Sequence, residues 1–335
     1  MARAIALLSG GLDSILAARL MLEQGIELEA LNFLTVFCNC TNRGKTCLAS
    51  KSAADTLGIK LKVFEISSEY LDIVKKPKHG YGSHINPCLD CRIFIFKKEK
   101  EYMESSGASF IVTGEVLGER PMSQRRQAME LIEKESGLKG LIVRPLSAAL
   151  MPQSIPEKEG LVDRSRLLSI EGRCRKPQIE LTKKFNINDY PCPSGGCLIT
   201  YEGFAEKVKD LMKHKPEFTL HDVLFLKQGR HFRITKTAKF IVGKNEHENK
   251  KLAGLAKDGE MIFYPVGVKG PIGIASGTFD NGFVETAASI IARYSDIAKD
   301  QTLAVEYRKI SDKKTESVIV NPIDEERLSA LRISQ

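Results

Sequence analysis

The sequence predicts an α/β fold, a doubly wound parallel sheet with helices on both faces, followed by a separate α+β domain. Short apolar runs alternate with helix-like stretches through the first half of the chain. A serine- and glycine-rich turn joins the first apolar run to the first helix-like stretch, and glycines separate short apolar runs in the last third. Strands that alternate with helices are typical of a parallel sheet with helical crossovers.

The elements of the first half follow one another in the order that such a sheet requires. We predict strands over residues 4–8, 29–37, 60–66 and 110–113, and helices over residues 15–23, 48–57 and 90–105. In an open parallel sheet, ligands bind at the carboxyl ends of the strands. The segments that follow these strands are therefore the places to search for a site.

The rest of the chain divides into two further segments. Residues 1–150 form the predicted nucleotide-binding domain, and residues 151–203 form an adaptor that carries the distal cysteines. Residues 204–335 form the predicted α+β domain, with a helix over 204–214 and short strands between 223 and 282. A helix over 287–297 and strands over 304–307 and 317–320 complete it.

Composition and charge narrow the function classes. The chain has 335 residues and is 42% hydrophobic, which suits a globular protein with two cores. No apolar stretch approaches the roughly 20 residues that span a bilayer, so we expect no membrane partner. We interpret the apolar start as the first strand and expect a cytoplasmic protein. The net charge of +8 favours a polyanionic partner such as nucleic acid.

The turn after the first strand predicts a phosphate-binding site. Residues 9–14 read Ser-Gly-Gly-Leu-Asp-Ser between a buried strand and a helix N-terminus, where backbone N–H groups and the helix dipole bind anions. Gly10 and Gly11 allow close approach, Ser9 and Ser14 add hydroxyl donors, and Asp13 is a candidate ligand for Mg²⁺. A Walker loop would end in Gly-Lys-Ser/Thr, so transfer of the γ-phosphoryl group is disfavoured. The alternative is an ordinary turn of a parallel-sheet protein.

Two cysteine segments predict a thiol site. Cys88 and Cys91 lie at the start of a predicted helix, where the helix dipole and Arg92 are expected to lower both thiol pKa values. Cys197 lies in a glycine-rich loop. Three thiolates from these segments could hold three irons of a 4Fe-4S cluster and leave the fourth iron open. The alternatives are a structural zinc site with Cys192 as a further ligand, or buried thiols without metal.

The remaining cysteines are harder to place. Cys38, Cys40 and Cys47 have irregular spacing in a loop after the second strand. They are either thiols of a substrate loop or a second metal site. Cys174, in a basic segment, is interpreted as an incidental thiol.

Together these segments resemble the tRNA thiouridine synthetases of the PP-loop ATP pyrophosphatase family, which have an adenine nucleotide alpha hydrolase-like (HUP-like) fold. The resemblance lies in residues 9–14, Asn86-Pro-Cys-Leu-Asp-Cys91, Thr113-Gly114 and Ser194-Gly-Gly-Cys-Leu-Ile199. It implies that ATP is cleaved at the α phosphate, giving an adenylylated uridine and pyrophosphate, with Asp13, Cys91 and Cys197 as catalytic residues. The implied nucleotide-binding residues are Ser9, Gly10, Gly11, Asp13, Ser14, Thr113 and Gly114.

The family has two branches that differ in how sulfur is handled. In the iron–sulfur-dependent branch the matching cysteines, here Cys88, Cys91 and Cys197, hold a cluster, and the presence of Cys88 favours this branch. In the 2-thiouridylase branch Cys91 and Cys197 would carry and resolve a persulfide. We prefer 4-thiouridine to 2-thiouridine as the product, with sulfide or a cysteine desulfurase-type protein as the sulfur donor. More distant alternatives are an amide- or nitrile-forming ligase with structural zinc, and a non-catalytic RNA-binding protein.

We expect tRNA recognition to come from the C-terminal segment. Synthases of the ThiI type usually carry an RNA-binding domain ahead of the PP-loop, whereas this loop starts at residue 9. Residues 236–249 resemble the RNA-binding region of the NFACT family. Phe232 and Phe240 lie among cations, and we expect the cations to contact phosphates and the two rings to stack on bases. The alternative is a solvated basic face with two core phenylalanines. The predicted RNA-binding cations are Arg230, Arg233, Lys236 and Lys239.

Overall fold

The computed structural model describes residues 2–39, 47–188, 190, 197–298 and 300–334; the side chains of residues 47 and 48 lie outside this description. The chain divides into an N-terminal unit, Met1–Thr200, and a C-terminal unit, Tyr201–Gln335. Residues 151–200 therefore belong to the same compact unit as the first half of the chain. Among the described residues, no helix is both long and apolar enough to cross a membrane.

The N-terminal unit contains a five-stranded parallel sheet in the order β3-β2-β1-β4-β5. This arrangement confirms the predicted doubly wound fold. Its strands are β1 (Arg3–Leu7), β2 (Glu27–Leu34), β3 (Lys60–Glu65), β4 (Phe110–Thr113) and β5 (Ile142–Val143). Its helices are α1 (Leu12–Leu22), α2 (Cys47–Leu57), α3 (Ser67–Lys75), α4 (Cys88–Ser106), α5 (Arg126–Ser136), α6 (Ile155–Lys158) and α7 (Lys176–Phe185).

Strand β1 lies at the centre of this sheet, and its side chains alternate between two cores. Ala4 and Ala6 pack on one face with helix α1, while Ile5 packs on the other face with Phe96 and Met103 of helix α4. Successive side chains of a strand point to opposite faces, so a sheet covered on both sides requires continuous apolar strands. This is why the central strands read as unbroken apolar runs in the sequence.

The C-terminal unit contains a six-stranded antiparallel sheet in the order β11-β10-β8-β9-β7-β6. Its separate sheet confirms the predicted second α+β domain. The strands are β6 (Arg230–Arg233), β7 (Ala238–Val242), β8 (Met261–Pro265), β9 (Gly273–Gly277), β10 (Leu303–Lys309) and β11 (Glu316–Val320). The helices are α8 (Glu202–His214), α9 (Leu220–Leu226), α10 (Glu246–Leu255), α11 (Phe283–Arg293) and α12 (Glu325–Leu331).

Some predicted elements of the C-terminal unit are wrong. Residues 223–226 lie in helix α9 and residues 246–255 lie in helix α10, where the sequence pattern predicted only short strands. A capping box of Thr219 and Asp222 begins α9, and the Asn245 side chain accepts the backbone N–H of Glu248 to begin α10. These polar caps start helices that are too short to show a clear apolar period. Helix α11 also begins and ends four residues earlier than the predicted 287–297.

Gly10 is placed where two backbone segments meet. Its φ is +78°, and a Cβ at this position would lie 2.6 Å from the backbone of Ala49 and Ser50 in helix α2. Any other residue would therefore be strained by its own conformation and would also collide with a helix. The turn between β1 and α1 depends on this glycine for its shape.

We predict that Gly10→Ala lowers the free energy of unfolding of the N-terminal unit more than Gly25→Ala does. Gly25 has nearly the same φ, +76°, but nothing within 4 Å of its Cβ position, so it is a matched control. The left-handed conformation costs about 1–2 kcal/mol for alanine at either site. The collision at residue 10 adds about 1–3 kcal/mol. Urea unfolding followed by circular dichroism measures both, and equal losses would contradict the packing described for Gly10.

Candidate active site

The turn between β1 and α1 is held by its own serines. The Gly11 N–H donates to Ser9 Oγ (3.3 Å), and the Ser14 hydroxyl donates to the Gly11 carbonyl (2.8 Å). The two hydroxyl oxygens lie 3.2 Å apart. Helix α1 begins directly after Gly11, so its N-terminus faces the same turn. These contacts organise the turn before any anion binds, as a phosphate cradle requires.

The end of strand β4 lies against this turn. A Cβ at Gly114 would be 2.4 Å from the carbonyl carbon of Asp13 and from the nitrogen of Ser14, so only glycine allows this approach. Thr113 is buried beside it, and its hydroxyl accepts the Glu115 N–H (3.2 Å). The structure thus brings Thr113 and Gly114 to the predicted nucleotide-binding turn.

A second carboxylate, which the sequence analysis missed, lies close to Asp13. Burial, followed by the negative charge of Asp13, raises the pKa of Glu119 above its usual range. The Oδ1 atom of Asp13 is buried and has no hydrogen-bond partner among the described residues. Carboxylate oxygens next to a phosphate cradle are the ligands that Mg²⁺ uses in nucleotide sites. The two carboxylates therefore fit the predicted ion, and the position of Glu119 just beyond β4 was its only sequence signal.

The three predicted thiols approach one another in the N-terminal unit. Cys88 is the first residue of helix α4 and Cys91 follows one turn later, with its thiol hydrogen-bonded to the buried Tyr70 hydroxyl. The Cys197 thiol donates to the Phe37 carbonyl (3.2 Å). The thiols of Cys88 and Cys91 are close enough to raise the pKa of the Cys197 thiol. Two distant segments of the chain therefore meet at one group of thiols.

A fourth cysteine, Cys38, lies at the same place. Its thiol accepts the Thr35 N–H (3.2 Å), and its charge raises the pKa of both Cys91 and Cys197. The spacing of Cys38 in the sequence did not predict its position near Cys91 and Cys197, because the turn after β2 brings it there. Cys174 is exposed and is not part of this group. Cys40, Cys192 and the side chain of Cys47 lie outside the described residues.

The expectation of lowered thiol pKa values is wrong. Burial raises the pKa of Cys88, raises that of Cys91 to about 11, and raises that of Cys197 still further. Arg92 lowers the pKa of Cys88 and Cys91, but its effect is smaller than that of burial. The thiols are therefore protonated at neutral pH in the absence of metal, and metal binding has to release protons.

Four described thiols converge, those of Cys38, Cys88, Cys91 and Cys197. Within the part of the chain that the structure describes, no group of three or more Cys, His, Asp or Glu side chains is arranged to hold a single ion. A cluster binds each thiolate through a different iron, so cysteines that converge from separate segments could hold one. The further zinc ligand named from the sequence, Cys192, lies outside the described residues.

A buried network of charges joins helix α4, here called the thiol helix because it carries Cys88 and Cys91, to the nucleotide-binding turn. The Glu115 carboxylate accepts two N–H groups of Arg92 (2.6 and 3.0 Å) and the Nε–H of Arg144 (3.0 Å). Burial favours the neutral acid, but the two guanidinium groups outweigh it and hold the pKa of Glu115 below its usual range. Arg92 follows Cys91 in α4, and Glu115 follows Gly114 after β4. The two candidate sites therefore share one set of fixed charges.

The predicted RNA-binding cations of the C-terminal unit differ in their surroundings. Arg233 donates to both carboxylate oxygens of Asp210 (2.5 and 3.1 Å), and Arg230 lies over the Tyr294 ring, 4.4 Å from its centroid. Lys239 is buried, whereas Lys236 is exposed.

The two phenylalanines among these cations belong to the core. Phe232 and Phe240 are fully buried, so the expectation that they stack on bases is wrong. Both phenylalanines pack into one hydrophobic core. His231, Arg233 and Lys239 lie on the opposite face of β6 and β7, where Ile241 packs into a second core.

Two family models match the chain. Residues 1–152 match the model described as thiamine biosynthesis protein (ThiI), and residues 229–332 match the model described as NFACT protein RNA binding domain. The chain is also similar to tRNA-specific 2-thiouridylases. That of Marinobacter nauticus is 27% identical over 229 residues, covering 64% of this chain and 55% of the relative. That of Pseudomonas entomophila is 33% identical over 146 residues, covering 41% and 37%. The chain thus spans about half the length of these relatives, or less.

Two solved structures show distant likeness. A 4-thiouridine synthetase in complex with RNA and ATP has a TM-score of 0.35 and 20% identity, covering 68% of this chain and 52% of the other. The U34-tRNA thiolase NcsA of Methanococcus maripaludis, with its 4Fe-4S cluster, has a TM-score of 0.34 and 18% identity, covering 68% and 70%. These likenesses are too distant to support an argument about function. The family models and curated relatives confirm the predicted resemblance: the N-terminal unit is similar to the ThiI family and to tRNA-specific 2-thiouridylases, and the C-terminal unit matches the NFACT RNA-binding domain model.

Proposed function

We propose that the protein is an ATP-dependent tRNA thiolation enzyme that converts a uridine into a thiouridine, with 4-thiouridine preferred. The observation that carries this proposal is the joining of a PP-loop to a group of buried thiols through the Arg92–Glu115 ion pair. One site would activate the base and the other would handle sulfur. An enzyme that only hydrolysed ATP would have no use for the second site.

The first half of the reaction takes place at the PP-loop. The uridine carbonyl oxygen attacks the α phosphate of ATP, pyrophosphate leaves, and the base carries AMP on its oxygen. The turn of Ser9, Gly10, Gly11 and Ser14 holds the departing phosphates with N–H and hydroxyl donors. Asp13 and Glu119 would hold Mg²⁺, which offsets the charge that develops on the phosphates.

In the second half, sulfide attacks the activated carbon of the base and AMP leaves with the original oxygen. Cys88, Cys91 and Cys197 would hold a 4Fe-4S cluster, which supplies an open iron for sulfide when bound. The Tyr70 hydroxyl is placed to donate to the Cys91 sulfur and fix its orientation. Burial of the thiols keeps water from competing with sulfide for the activated base.

A second candidate for the sulfur step needs no iron. Cys91 and Cys197 would then act as persulfide carrier and resolving thiol, as in the 2-thiouridylase relatives' branch of the family. The charge of Cys91 raises the pKa of Cys197, so the two thiols lie near each other, which favours this candidate as well. In both cases we propose tRNA as the substrate, held by the C-terminal unit. The cluster enzyme would take sulfide or sulfur from a cysteine desulfurase-type protein, whereas the persulfide enzyme would receive a persulfide sulfur from a cysteine desulfurase-type protein.

We predict that Asp13→Ala lowers pyrophosphate release from ATP by at least about 100-fold, because the phosphates lose their metal ligand in the transition state. Binding of tRNA should remain, since the C-terminal unit is untouched. Asp55→Ala, which removes the same charge from an exposed position on α2, is the matched control. A pyrophosphate assay measures both variants, and unchanged release in Asp13→Ala would overturn the PP-loop assignment.

We predict that alanine at Cys88, Cys91 or Cys197 removes iron and acid-labile sulfide from the anaerobically purified protein. Alanine at the exposed Cys174 should leave both unchanged. Cys38→Ala should also keep the iron, because three ligands suffice for a cluster with one open iron. Iron and sulfide analysis with an absorption spectrum provides the measurement. Stoichiometric zinc without iron would instead favour the persulfide enzyme or a zinc-containing ligase.

A further inference from the structure

The register of strands β6 and β7 places two cations side by side. Arg233 pairs directly with Lys239 across the ladder, so both side chains project from the same face of the sheet. Like charges in this arrangement destabilise a sheet. Asp210 of helix α8 lies between them, with one carboxylate oxygen 2.5 Å from Arg233 Nη2 and 3.7 Å from Lys239 Nζ. One carboxylate thus serves two cations.

Further cations surround this pair. Lys207 lies one turn before Asp210 on α8, Lys244 follows β7, and His231 lies two residues before Arg233 on the same face. Burial, then Lys239, and then Lys207 and Lys244 lower the pKa of His231 well below its usual range. Burial and the charge of Lys244 lower the pKa of Lys207 to about 8. The side chains concentrate positive charge in a place where little water is available to screen it.

The deepest of these cations is weakly paired, because the Asp210 carboxylate that it shares with Arg233 is 3.7 Å from its ammonium. Lys239 is only 8% exposed, and its Nζ has no hydrogen-bond partner among the described residues. Burial, and then repulsion by Arg233 and Lys207, lower its pKa to about 7, although Asp210 acts in the opposite direction. The nearby Glu248 carboxylate is already used, since it accepts the backbone N–H groups of Gly229 and Lys244 (3.0 and 2.9 Å). A buried ammonium whose one carboxylate partner is 3.7 Å away costs free energy, and an anionic ligand would supply closer acceptors.

We propose that Lys207, Lys239 and Lys244 form a pocket, here called the lysine pocket, that binds one phosphate group. A phosphate offers several acceptor oxygens, which three ammonium groups can share, whereas a carboxylate offers two. Arg233 is held by Asp210 and serves as a positioning residue for Lys239. The lysines of this pocket differ from Lys236, which is exposed to solvent.

The RNA backbone is the source of phosphate that the C-terminal unit favours, and this part of the inference rests on the proposed function. Residues 229–332 match the RNA-binding family model, and Lys239 and Lys244 lie within that match. Lys207 lies outside it, on the helix that packs over the sheet. Free phosphate is the other source, and the experiment separates the two.

The test compares the full-length wild type with Lys239→Met, and uses Lys250→Met as a control that removes an exposed lysine from the same unit. Binding of inorganic phosphate is measured as the rise in Tm when phosphate replaces chloride at constant ionic strength. Binding of bulk tRNA is measured as the Kd at several salt concentrations. We expect Lys239→Met to weaken tRNA binding by at least about tenfold. The slope of log Kd against log salt concentration should decrease by about 1, the value expected for the loss of one phosphate contact. The phosphate-induced rise in Tm should shrink, and Lys250→Met should behave as the wild type.

Stability separates a binding role from a structural one. When Lys239 is replaced by Met, Asp210 keeps Arg233 and His214 as partners, so no buried charge is left unpaired and the ligand-free Tm of Lys239→Met should not fall. A lysine that merely supported the fold would give a lower Tm with unchanged ligand binding. Lys207→Met, at a half-buried position, provides a second variant with the same expected loss of binding.

The pH dependence provides a further readout. Lys239 loses its proton above a pKa of about 7, so wild-type affinity for tRNA should fall as the pH rises from about 6 to about 8. Lys207, with a pKa of about 8, changes in the same direction. Two neighbours of Lys239, Asp210 and His231, both have lowered pKa values, so neither changes its charge over this range. The other charged neighbours are Arg233, Lys244 and Glu248. In Lys239→Met the fall should be smaller.

Each outcome decides the proposal. Loss of both phosphate and tRNA binding in Lys239→Met supports a pocket for RNA phosphate. Loss of the phosphate effect alone supports the pocket with free phosphate as its ligand. Wild-type behaviour of Lys239→Met and Lys207→Met toward both ligands overturns the lysine pocket. If the wild type binds no tRNA at all, the proposed function fails, while the phosphate measurement still judges the pocket.

Discussion

The buried Glu115 carboxylate is the interaction on which the arrangement of the N-terminal unit depends. It receives Arg92 from the thiol helix and Arg144 from the segment after β5, and it directly follows the Gly114 that touches the PP-loop. Buried ion pairs add little net stability, but loss of one partner costs about 3–5 kcal/mol because a charge is left unpaired. The network of Glu115, Arg92 and Arg144 therefore contributes more to the position of the elements that carry these residues than to the free energy of unfolding. It sets where the first turn of α4, and hence Cys88 and Cys91, lies relative to the nucleotide-binding turn.

Buried ionisable groups that are incompletely paired occur in both units. Asp13 has an oxygen with no hydrogen-bond partner among the described residues, and the Lys239 ammonium has only the Asp210 carboxylate, 3.7 Å away. Glu99 is a different case: burial raises its pKa well above the usual range, so it is held as the neutral acid behind Arg92. Protonation of Glu99 removes the free-energy cost of a buried charge without any ligand. For Asp13 and Lys239 a bound ion of opposite charge would do so, and this is the physical basis on which we propose magnesium and phosphate as ligands.

The sequence predicted the parts of the structure that depend on local pattern. The central strands, the turn at residues 9–14 and the glycine of Thr113-Gly114 follow from apolar runs and from residue types that only certain backbone conformations accept. The hydrogen bond from the Cys197 thiol to the carbonyl of Phe37, the residue before Cys38, could not be predicted, because it joins residues 160 positions apart in the chain. The position of Glu119 near Asp13 could not be predicted either, because these two residues are also far apart in the sequence.

Burial was the other quantity that the sequence could not supply. The helix position of Cys88 and Cys91 suggested lowered thiol pKa values, and the charge of Lys239 suggested an exposed cation. Burial reverses both conclusions. It arises from packing between segments distant in sequence, such as α8 over β6 and β7, so it appears only when the tertiary structure is known.

The most direct test of the central claim is the nucleoside content of tRNA incubated anaerobically with the purified protein, ATP, Mg²⁺ and sulfide. Mass spectrometry of the digested tRNA would be combined with measurement of AMP and pyrophosphate. The account predicts a thiouridine, formed in equal amount with AMP and pyrophosphate, and dependent on ATP. Formation of ADP and phosphate, or release of pyrophosphate without any thiouridine in tRNA under these conditions, would contradict it.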